Sequence, residues 1–279
     1  MLELYGLTNE QLAWRRYKII ELSVGGMDGE KSFQQEYPNT TVEAFQQSGE
    51  DSFIQPFLVN PSRKATCEAF GPLIIGVDPA RFGDDRTAII RRQARKAFGL
   101  QTFIKKDTME VAGIVHLIIE RENPQKVCID VGGLGAGVYD RLKELGHGDV
   151  IVPINSAETP IDQQRFYNKR AEMWGNVKDW LRDTPCEIPD SDELHADLCG
   201  PKYKPDSNGR LLIESKEAMK KRGIRSSDAA DALGLTFALP QSAFNENKKK
   251  RDNAVAQTIA QDFKQVQRLK DIRYGSNRR

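Results

Sequence analysis

Two short apolar runs, each followed directly by an aspartate, constrain the fold of this chain more than any other feature. Residues 73–77, with the sequence LIIGV, precede Asp78, and residues 126–129, with the sequence KVCI, precede Asp130. Continuous apolar runs of this length are typical of strands buried within a sheet. Ligand sites in α/β proteins form where such strands end. We therefore expect an α/β sheet that presents both carboxylates at its ligand-binding edge.

The segments around these strands follow the alternation of an α/β domain. The further predicted elements are strands at 87–90, 100–104 and 150–154, helices at 109–121, about 137–145, 163–182 and 227–239, and a hairpin at 200–215. The strand at 73–77 and the strands at 87–90 and 100–104 form a predicted meander. The turn of the hairpin is indicated by Asp-Ser-Asn-Gly at 206–209, which suits a tight connection between two strands.

The last predicted helix adds a third acidic feature. Ser227 is expected to cap it, and Asp228 and Asp231 lie three residues apart, so they share a face. Asp231 stands among alanines and Leu233, where an unpaired carboxylate is costly.

Each acid also has a purely structural interpretation. Asp78 precedes a proline and suits a turn, Asp130 precedes a glycine-rich turn, and Asp228 in a first helical turn complements the helix dipole.

Asp78, Asp130, Asp228 and Asp231 together predict a catalytic metal centre. Gathered carboxylates repel one another, and a divalent cation removes that cost. Oxygen ligands without histidine or cysteine favour Mg²⁺ or Mn²⁺. Two such ions activate a water and stabilise the leaving oxygen in phosphodiester hydrolysis. The sequence alone therefore supports a two-ion site for phosphodiester chemistry.

Basic residues cluster just before the last helix and again at the C-terminus, although the formal net charge of the whole chain is only +1. The first cluster predicts a phosphate-contacting surface beside the acids; it comprises Lys202, Lys204, Arg210, Lys216, Lys220, Lys221, Arg222 and Arg225. The tail at 241–279 has ten lysines and arginines against four acids. It fits a solvated tail and a contact with nucleic acid or a partner equally well.

The first 71 residues lack strand alternation. Thr8 and Gln11 have the spacing of a capping box, so a helix is expected to begin there. A short helix is expected at 41–45, and 56–71 is expected to be a linker.

Some site classes are not expected from this sequence. No apolar stretch approaches the about 20 residues of a membrane span, so no membrane partner is expected. His116, His147 and His195 are far apart in the sequence, and the four cysteines form no C-x-x-C pair. We therefore expect no metal site based on histidine or cysteine.

Four segments resemble the nuclease domain of phage terminase large subunits, the enzymes that package viral DNA. LIIGVDPARFGDDRTAII at 73–90 is similar to the first acidic strand and hairpin of that family, and IDVGGLGAGV at 129–138 to its second acidic strand and turn. GRLLIESK at 209–216 and KKRGIRSSDAADAL at 220–233 are similar to its hairpin and last catalytic helix. The resemblance covers residues 72–240.

This resemblance implies a ribonuclease H-like α/β fold, a mixed sheet flanked by helices. It implies that the four aspartates bind Mg²⁺ or Mn²⁺, with Asp85 on the hairpin turn as a weaker candidate. Double-stranded DNA is the implied substrate, with the portal protein and the terminase small subunit as implied partners, in the host cytoplasm.

The N-terminal segments LTNEQLAWRR at 7–16, FQQEYP at 33–38 and VEAF at 42–45 resemble the end of the packaging ATPase domain. Residues 1–71 are therefore expected to be the remnant of that domain in a fragment of a longer protein. No G-x-x-x-x-G-K-[ST] motif occurs, so this chain is not expected to hydrolyse ATP.

Two other functions remain open at the level of sequence. SDAADAL at 227–233 also resembles the last helix of RuvC-type Holliday junction resolvases, which share the ribonuclease H-like fold. A non-enzymatic prophage module that docks on DNA or the portal through the basic tail is the other alternative.

Overall fold

The computed structural model describes residues 8–22, 33, 37, 52–80 and 85–240. The helix expected at 41–45 and the basic tail at 241–279 lie outside these residues. The strands are β1 (Ile74–Asp78), β2 (Arg86–Gln93), β3 (Lys96–Ile104), β4 (Lys126–Asp130), β5 (Ile151–Ile154), β6 (Tyr203–Pro205) and β7 (Leu211–Ile213). The helices are α1 (Asn9–Leu22), α2 (Pro56–Lys64), α3 (Thr108–Glu122), α4 (Gly135–Leu142), α5 (Lys169–Arg182), α6 (Asp192–Cys199), α7 (Lys216–Lys221) and α8 (Asp228–Leu235).

The five long strands form one mixed sheet in the order β3-β2-β1-β4-β5. β1, β2 and β3 are antiparallel neighbours, whereas β1, β4 and β5 run parallel. Val77 pairs with Ile129, so the next residues, Asp78 and Asp130, stand side by side as the last residues of β1 and β4. The expected mixed α/β sheet, with acids at the carboxyl ends of two parallel strands, is confirmed.

The sheet is covered by helices on both faces, which explains why β1 is apolar up to Asp78 and β4 is apolar between Lys126 and Asp130. Successive side chains of a strand point to opposite faces. Val77 and Ile129 pack with Val115 of α3 on one face. On the other face Ile90 belongs to a cluster with Trp174 of α5 and Leu233 of α8.

Helix α8 crosses β1 at unusually close range because β1 has a glycine at the crossing point. A Cβ atom added to Gly76 would lie 1.9 Å from the carbonyl oxygen of Ala232. The missing side chain thus lets the backbone of α8 approach the strand. This approach holds Asp228 and Asp231 over the end of β1.

The linker expected at 56–71 is wrong for its first half. Pro56 begins helix α2 and occupies its first turn, where proline is tolerated because its missing N–H needs no partner. Phe53, Ile54 and Val59 belong to the same core cluster as α5 and α8. Residues 53–59 therefore pack as part of the α/β domain, on the N-terminal side of the expected boundary at residue 72.

The other differences concern helix boundaries and short helices. The helix expected at 163–182 begins at Lys169, where Asn168 accepts a capping hydrogen bond from the Ala171 N–H. Helices α6 and α7, of eight and six residues, were not predicted, and α8 ends at Leu235 instead of 239.

The capping box at the start of α1 is confirmed. The Thr8 N–H donates to Gln11 Oε1 at 2.8 Å, and the Gln11 N–H donates to Thr8 Oγ1 at 3.3 Å. In the part of the chain that the structure describes, no helix has the length and apolarity needed to cross a membrane.

Candidate metal centre

The four predicted aspartates meet at the carboxyl edge of the sheet. Asp78 and Asp130 end β1 and β4, and α8 brings Asp228 and Asp231 above them. Asp78, Asp85 and Asp130 line a cavity of about 540 Å³ that also contains Lys216. The sequence pattern thus placed four acids in one site, even though they come from three separate elements.

Lys216, at the start of α7, ties three of these carboxylates together. Its Nζ donates to Asp78 Oδ2 at 2.9 Å and to Asp228 Oδ1 at 3.1 Å, and it lies 3.5 Å from Asp231 Oδ2. Burial alone would lower the pKa of Lys216, but the three carboxylates raise it well above its ordinary value. The ammonium group therefore supplies the positive charge that this acidic cluster requires.

Asp78 is the acid whose charge is least favourable. Burial raises its pKa, and although Lys216 opposes the shift, Asp231, Asp228 and Asp130 add to it, leaving the pKa at about 7. A carboxyl group with this pKa carries its proton for part of the time at neutral pH. A divalent cation would remove that proton, because it favours the charged form.

Asp231 is held firmly as a carboxylate. Burial would raise its pKa, but Arg170, Lys216 and a hydrogen bond from Trp174 bring the pKa to about 2. Arg170 Nε and Trp174 Nε1 both donate to Oδ1, at 2.9 and 2.8 Å. These donors offset the free-energy cost of burying a carboxylate on the apolar face of α8.

Asp130 and Asp228 are oriented by neighbouring hydroxyl and backbone groups. Asp130 accepts the Gly132 N–H at 2.8 Å and the Ser156 hydroxyl at 2.7 Å. Asp228 accepts the Arg86 N–H at 2.9 Å and the Ser226 hydroxyl at 2.6 Å. The protein's own donors therefore orient both carboxylates.

Asp85 supplies the observation that best tests the fit to a cation. Its Oδ2 accepts a hydrogen bond from Lys220 at 2.9 Å. Its Oδ1 is buried and finds no hydrogen-bond partner among residues 8–22, 52–80 and 85–240. A buried carboxylate oxygen without a donor is costly, and a hard cation in the adjoining cavity would satisfy it. The donor set, all carboxylate oxygens, fits Mg²⁺ or Mn²⁺.

The cap of α8 differs from the sequence expectation. Ser227 stands at the N-cap position but makes no capping bond, and its hydroxyl donates to Asp231 instead. Asp197 of α6 accepts the Ala229 N–H at 2.9 Å, so a carboxylate 32 residues earlier caps the helix. Burial, opposed by Arg86, raises the pKa of Asp197 to about 7.

The predicted DNA-contacting residues do not form one uniform basic surface. Lys216 lies among the acids, and Lys220 pairs with Asp85. Arg210 pairs with Asp206, and Arg222 pairs with Glu214. Of the others, Lys202 precedes β6 and Lys204 lies on it. Lys221 ends α7, Arg225 follows that helix, and both are exposed.

Sequence reasoning missed three residues that shape the site, namely Arg170, Ser156 and Asp197. Arg170 reaches Asp231 across 61 residues and Ser156 reaches Asp130 across 26. No spacing in the sequence indicates contacts of this range. Arg170 does follow an Asn that caps its helix, a signal that would have placed it in the first turn of α5.

Comparisons with known proteins bear on the fold. The sequence matches no family model, and no curated protein is significantly similar to it. The structure is similar to the nuclease domain of the large terminase subunit gp2 of bacterial virus Sf6, with 21% identity and a TM-score of 0.60 over 68% of this chain and 99% of that one. A mutant of the same domain with manganese has 21% identity and a TM-score of 0.59 over 68% of this chain and all of that one. The described α/β domain therefore has the ribonuclease H-like fold of a phage large terminase nuclease domain.

Proposed function

We propose that this chain is the nuclease domain of a phage large terminase subunit, and that it cuts concatemeric viral DNA as a Mg²⁺- or Mn²⁺-dependent endonuclease. The observation that carries the proposal is the convergence of Asp78, Asp130, Asp228 and Asp231 at the carboxyl ends of the strands. Beside them lies Asp85, whose buried Oδ1 has no hydrogen-bond partner among the described residues. The structural similarity to terminase nuclease domains, one of them with manganese, supports it.

The metal ligands in this proposal are the four aspartates, with Asp85 as a fifth candidate. Bound divalent ions, two in this account, supply an activated water and neutralise charge on the scissile phosphate. Asp78 and Asp130 face the cavity directly. Asp228 and Asp231 do not line the cavity themselves, but both contact Lys216, which does.

Lys216 has two roles in this account. Without metal its ammonium holds Asp78, Asp228 and Asp231 together. Its side chain is 33% exposed, so it has a route toward solvent. If a divalent ion took its place among the carboxylates, the ammonium would be free to contact a DNA phosphate at the cavity that Lys216 lines.

The biological setting follows from the same proposal. Double-stranded DNA is the substrate, and the exposed side chains of Lys204 on β6 and Lys221 on α7 add phosphate contacts. The portal protein and the terminase small subunit are the proposed partners, and the host cytoplasm is the proposed location.

The test is cleavage of supercoiled plasmid by the purified chain with Mn²⁺, with Mg²⁺ and with EDTA. Asp78→Asn and Asp130→Asn keep the side-chain shape and remove one charge each. Asp149→Asn is the matched control, because Asp149 precedes β5 and so lies at the opposite edge of the sheet. We expect cutting only with metal, lost in the first two variants and retained in the control.

Three outcomes would contradict the proposal. Cleavage by Asp78→Asn or Asp130→Asn at the wild-type rate would show that the replaced residue does not belong to the catalytic centre. Paired, symmetric cuts in four-way junctions with little cutting of linear duplex would indicate a junction resolvase. DNA binding that tolerates chelator, without cleavage in any metal, would indicate a docking module.

A further inference from the structure

We propose that His116, Glu120 and His147 form a second metal site, which binds one transition-metal ion of the Zn²⁺ type. Their ligand atoms all lie within 4.8 Å of one another. The site does not depend on the proposed nuclease activity, since it shares no residue with the carboxylate centre.

Two of the three ligands come from one face of α3. His116 and Glu120 are four residues apart in this helix, so their side chains lie one turn apart on the same side. The third comes from the widened helical turn at 143–147 that follows α4. Gly146 has a φ of 91° there, a left-handed conformation that glycine adopts readily. That residue turns the chain so that His147 faces α3.

The distances among the ligand atoms fit a cation after a small adjustment. His116 Nδ1 and His147 Nε2 are 2.6 Å apart, and His147 Nε2 lies 3.8 Å from Glu120 Oε1. Zn–N bonds of about 2.0–2.1 Å in a tetrahedron place two nitrogens about 3.3 Å apart. The two rings thus need to separate by less than about 1 Å, which rotation of the half-buried His116 side chain and the exposed Glu120 side chain supplies without backbone movement.

The ligand chemistry selects the class of metal. Two imidazoles and one carboxylate favour Zn²⁺ and its neighbours over Mg²⁺, which prefers oxygen ligands alone. His147 is buried, whereas the Glu120 side chain is 63% exposed. The site is therefore closed on the protein side and open on the solvent side, which leaves a fourth position for water or another ligand.

This site and the carboxylate centre lie at opposite edges of the sheet. His147 comes four residues before β5, and the aspartates follow the carboxyl ends of β1 and β4, which run parallel to β5. Four or five residues of strand at about 3.3 Å each separate the two edges by about 15 Å. A metal in this site therefore cross-links α3 to the segment leading into β5.

The experiment measures Zn²⁺ bound per chain by equilibrium dialysis of the full chain, with millimolar Mg²⁺ present to occupy the carboxylate centre. His116→Gln and Glu120→Gln remove ligands, and the exposed position of Glu120 makes the second variant safe for folding. His195→Gln is the matched control, since His195 lies on α6 and contacts Cys199 instead. Replacing Zn²⁺ by Co²⁺ adds a visible absorption band that reports nitrogen ligands.

We expect one Zn²⁺ per chain in the wild type and in His195→Gln. His116→Gln should lose it, and Glu120→Gln should bind it at least about tenfold more weakly. Absence of Zn²⁺ binding in the wild type would overturn the proposal. Equal affinity in all four proteins would overturn it as well, because the ion would then reside elsewhere.

Discussion

Replacing Lys216 by methionine tests the electrostatics of the carboxylate centre. The change keeps most of the side-chain volume but removes the ammonium that contacts Asp78 and Asp228 and lies 3.5 Å from Asp231. The three carboxylates then repel one another in a buried site, with Arg170 as the remaining cation on Asp231. We expect the metal-free variant to be less stable than the wild type at alkaline pH.

The magnitude follows from burial and charge. Removing one partner of a buried ion pair costs about 3–5 kcal/mol. Lys216 is 33% exposed, so solvent screening reduces the expected loss of unfolding free energy to about 2–3 kcal/mol at pH 8. At pH 6 Asp78, whose pKa is about 7 even beside Lys216, takes up a proton in the variant. The repulsion then falls, and the loss should shrink below about 1 kcal/mol.

Urea denaturation at pH 6 and pH 8, with and without Mn²⁺, measures these differences. Lys220→Met is the matched control, because Lys220 is 49% exposed in its pair with Asp85 and should cost less than about 1 kcal/mol. Mn²⁺ at a hundred times its dissociation constant should stabilise the Lys216 variant by about 2.7 kcal/mol. A variant as stable as the wild type at pH 8, or an equal loss of unfolding free energy at both pH values, would refute this role of Lys216.

Three further predictions follow from the structure. The raised pKa of Asp78 leaves a proton on the folded protein between about pH 4 and 7, so the stability of the metal-free protein should fall as pH rises through that window. Because Mn²⁺ must displace this proton, its affinity measured by calorimetry should rise by up to about tenfold per pH unit and level off above about pH 7.5. An affinity that does not change with pH would contradict this. Asp197→Ala should lower the unfolding free energy by about 2–4 kcal/mol, because it removes the cap of α8 and a partner of Arg86. The control Asp190→Ala breaks an exposed ion pair and should cost less than about 1 kcal/mol. Equal losses in the two variants would contradict the role of Asp197. Gly76→Ala should destabilise the protein by about 3 kcal/mol or more, because the added Cβ meets the Ala232 carbonyl. The control Gly113→Ala lies in open space within α3 and should stabilise the protein by up to about 1 kcal/mol. A melting temperature for Gly76→Ala at or above that of the wild type would refute the close approach of α8.

The sequence was most informative where chemistry and burial act locally. The apolar runs before Asp78 and Asp130 predicted two strands with their exact acidic ends. The three-residue spacing of Asp228 and Asp231 placed both acids on one helix. Turn residues at 206–209 predicted the hairpin, and the Thr8–Gln11 spacing predicted the capping box. Each of these signals depends on residues within a few positions of one another.

The features that sequence reasoning missed depend on contacts between distant segments. Asp197 caps α8 from 32 residues away in the sequence. His116 contacts His147, which lies 31 residues away, so their sequence positions gave no sign that they form a pair. Lys216 was assigned to a DNA-facing surface because its neighbours in the chain are basic. In the folded chain its partners are acids that tertiary packing brings around it. Local charge patterns do not reveal such pairings.

The linker expected after Pro56 failed for a different reason. Residues 56–71 were expected to be a linker, but Pro56 lies in the first turn of a helix, where proline is compatible with helical geometry. The apolar residues Phe53, Ile54 and Val59 provided the evidence for packing. Their burial outweighed the weak local preference.

The most direct test of the central claim is anomalous diffraction at the manganese edge from crystals of the chain soaked in Mn²⁺. We expect a peak between Asp78 and Asp130, with the Lys216 ammonium displaced from its contacts with Asp78 and Asp228. A map without a peak at this edge of the sheet at saturating Mn²⁺, with Lys216 still bonded to both aspartates, would contradict the assignment of these carboxylates as a metal centre.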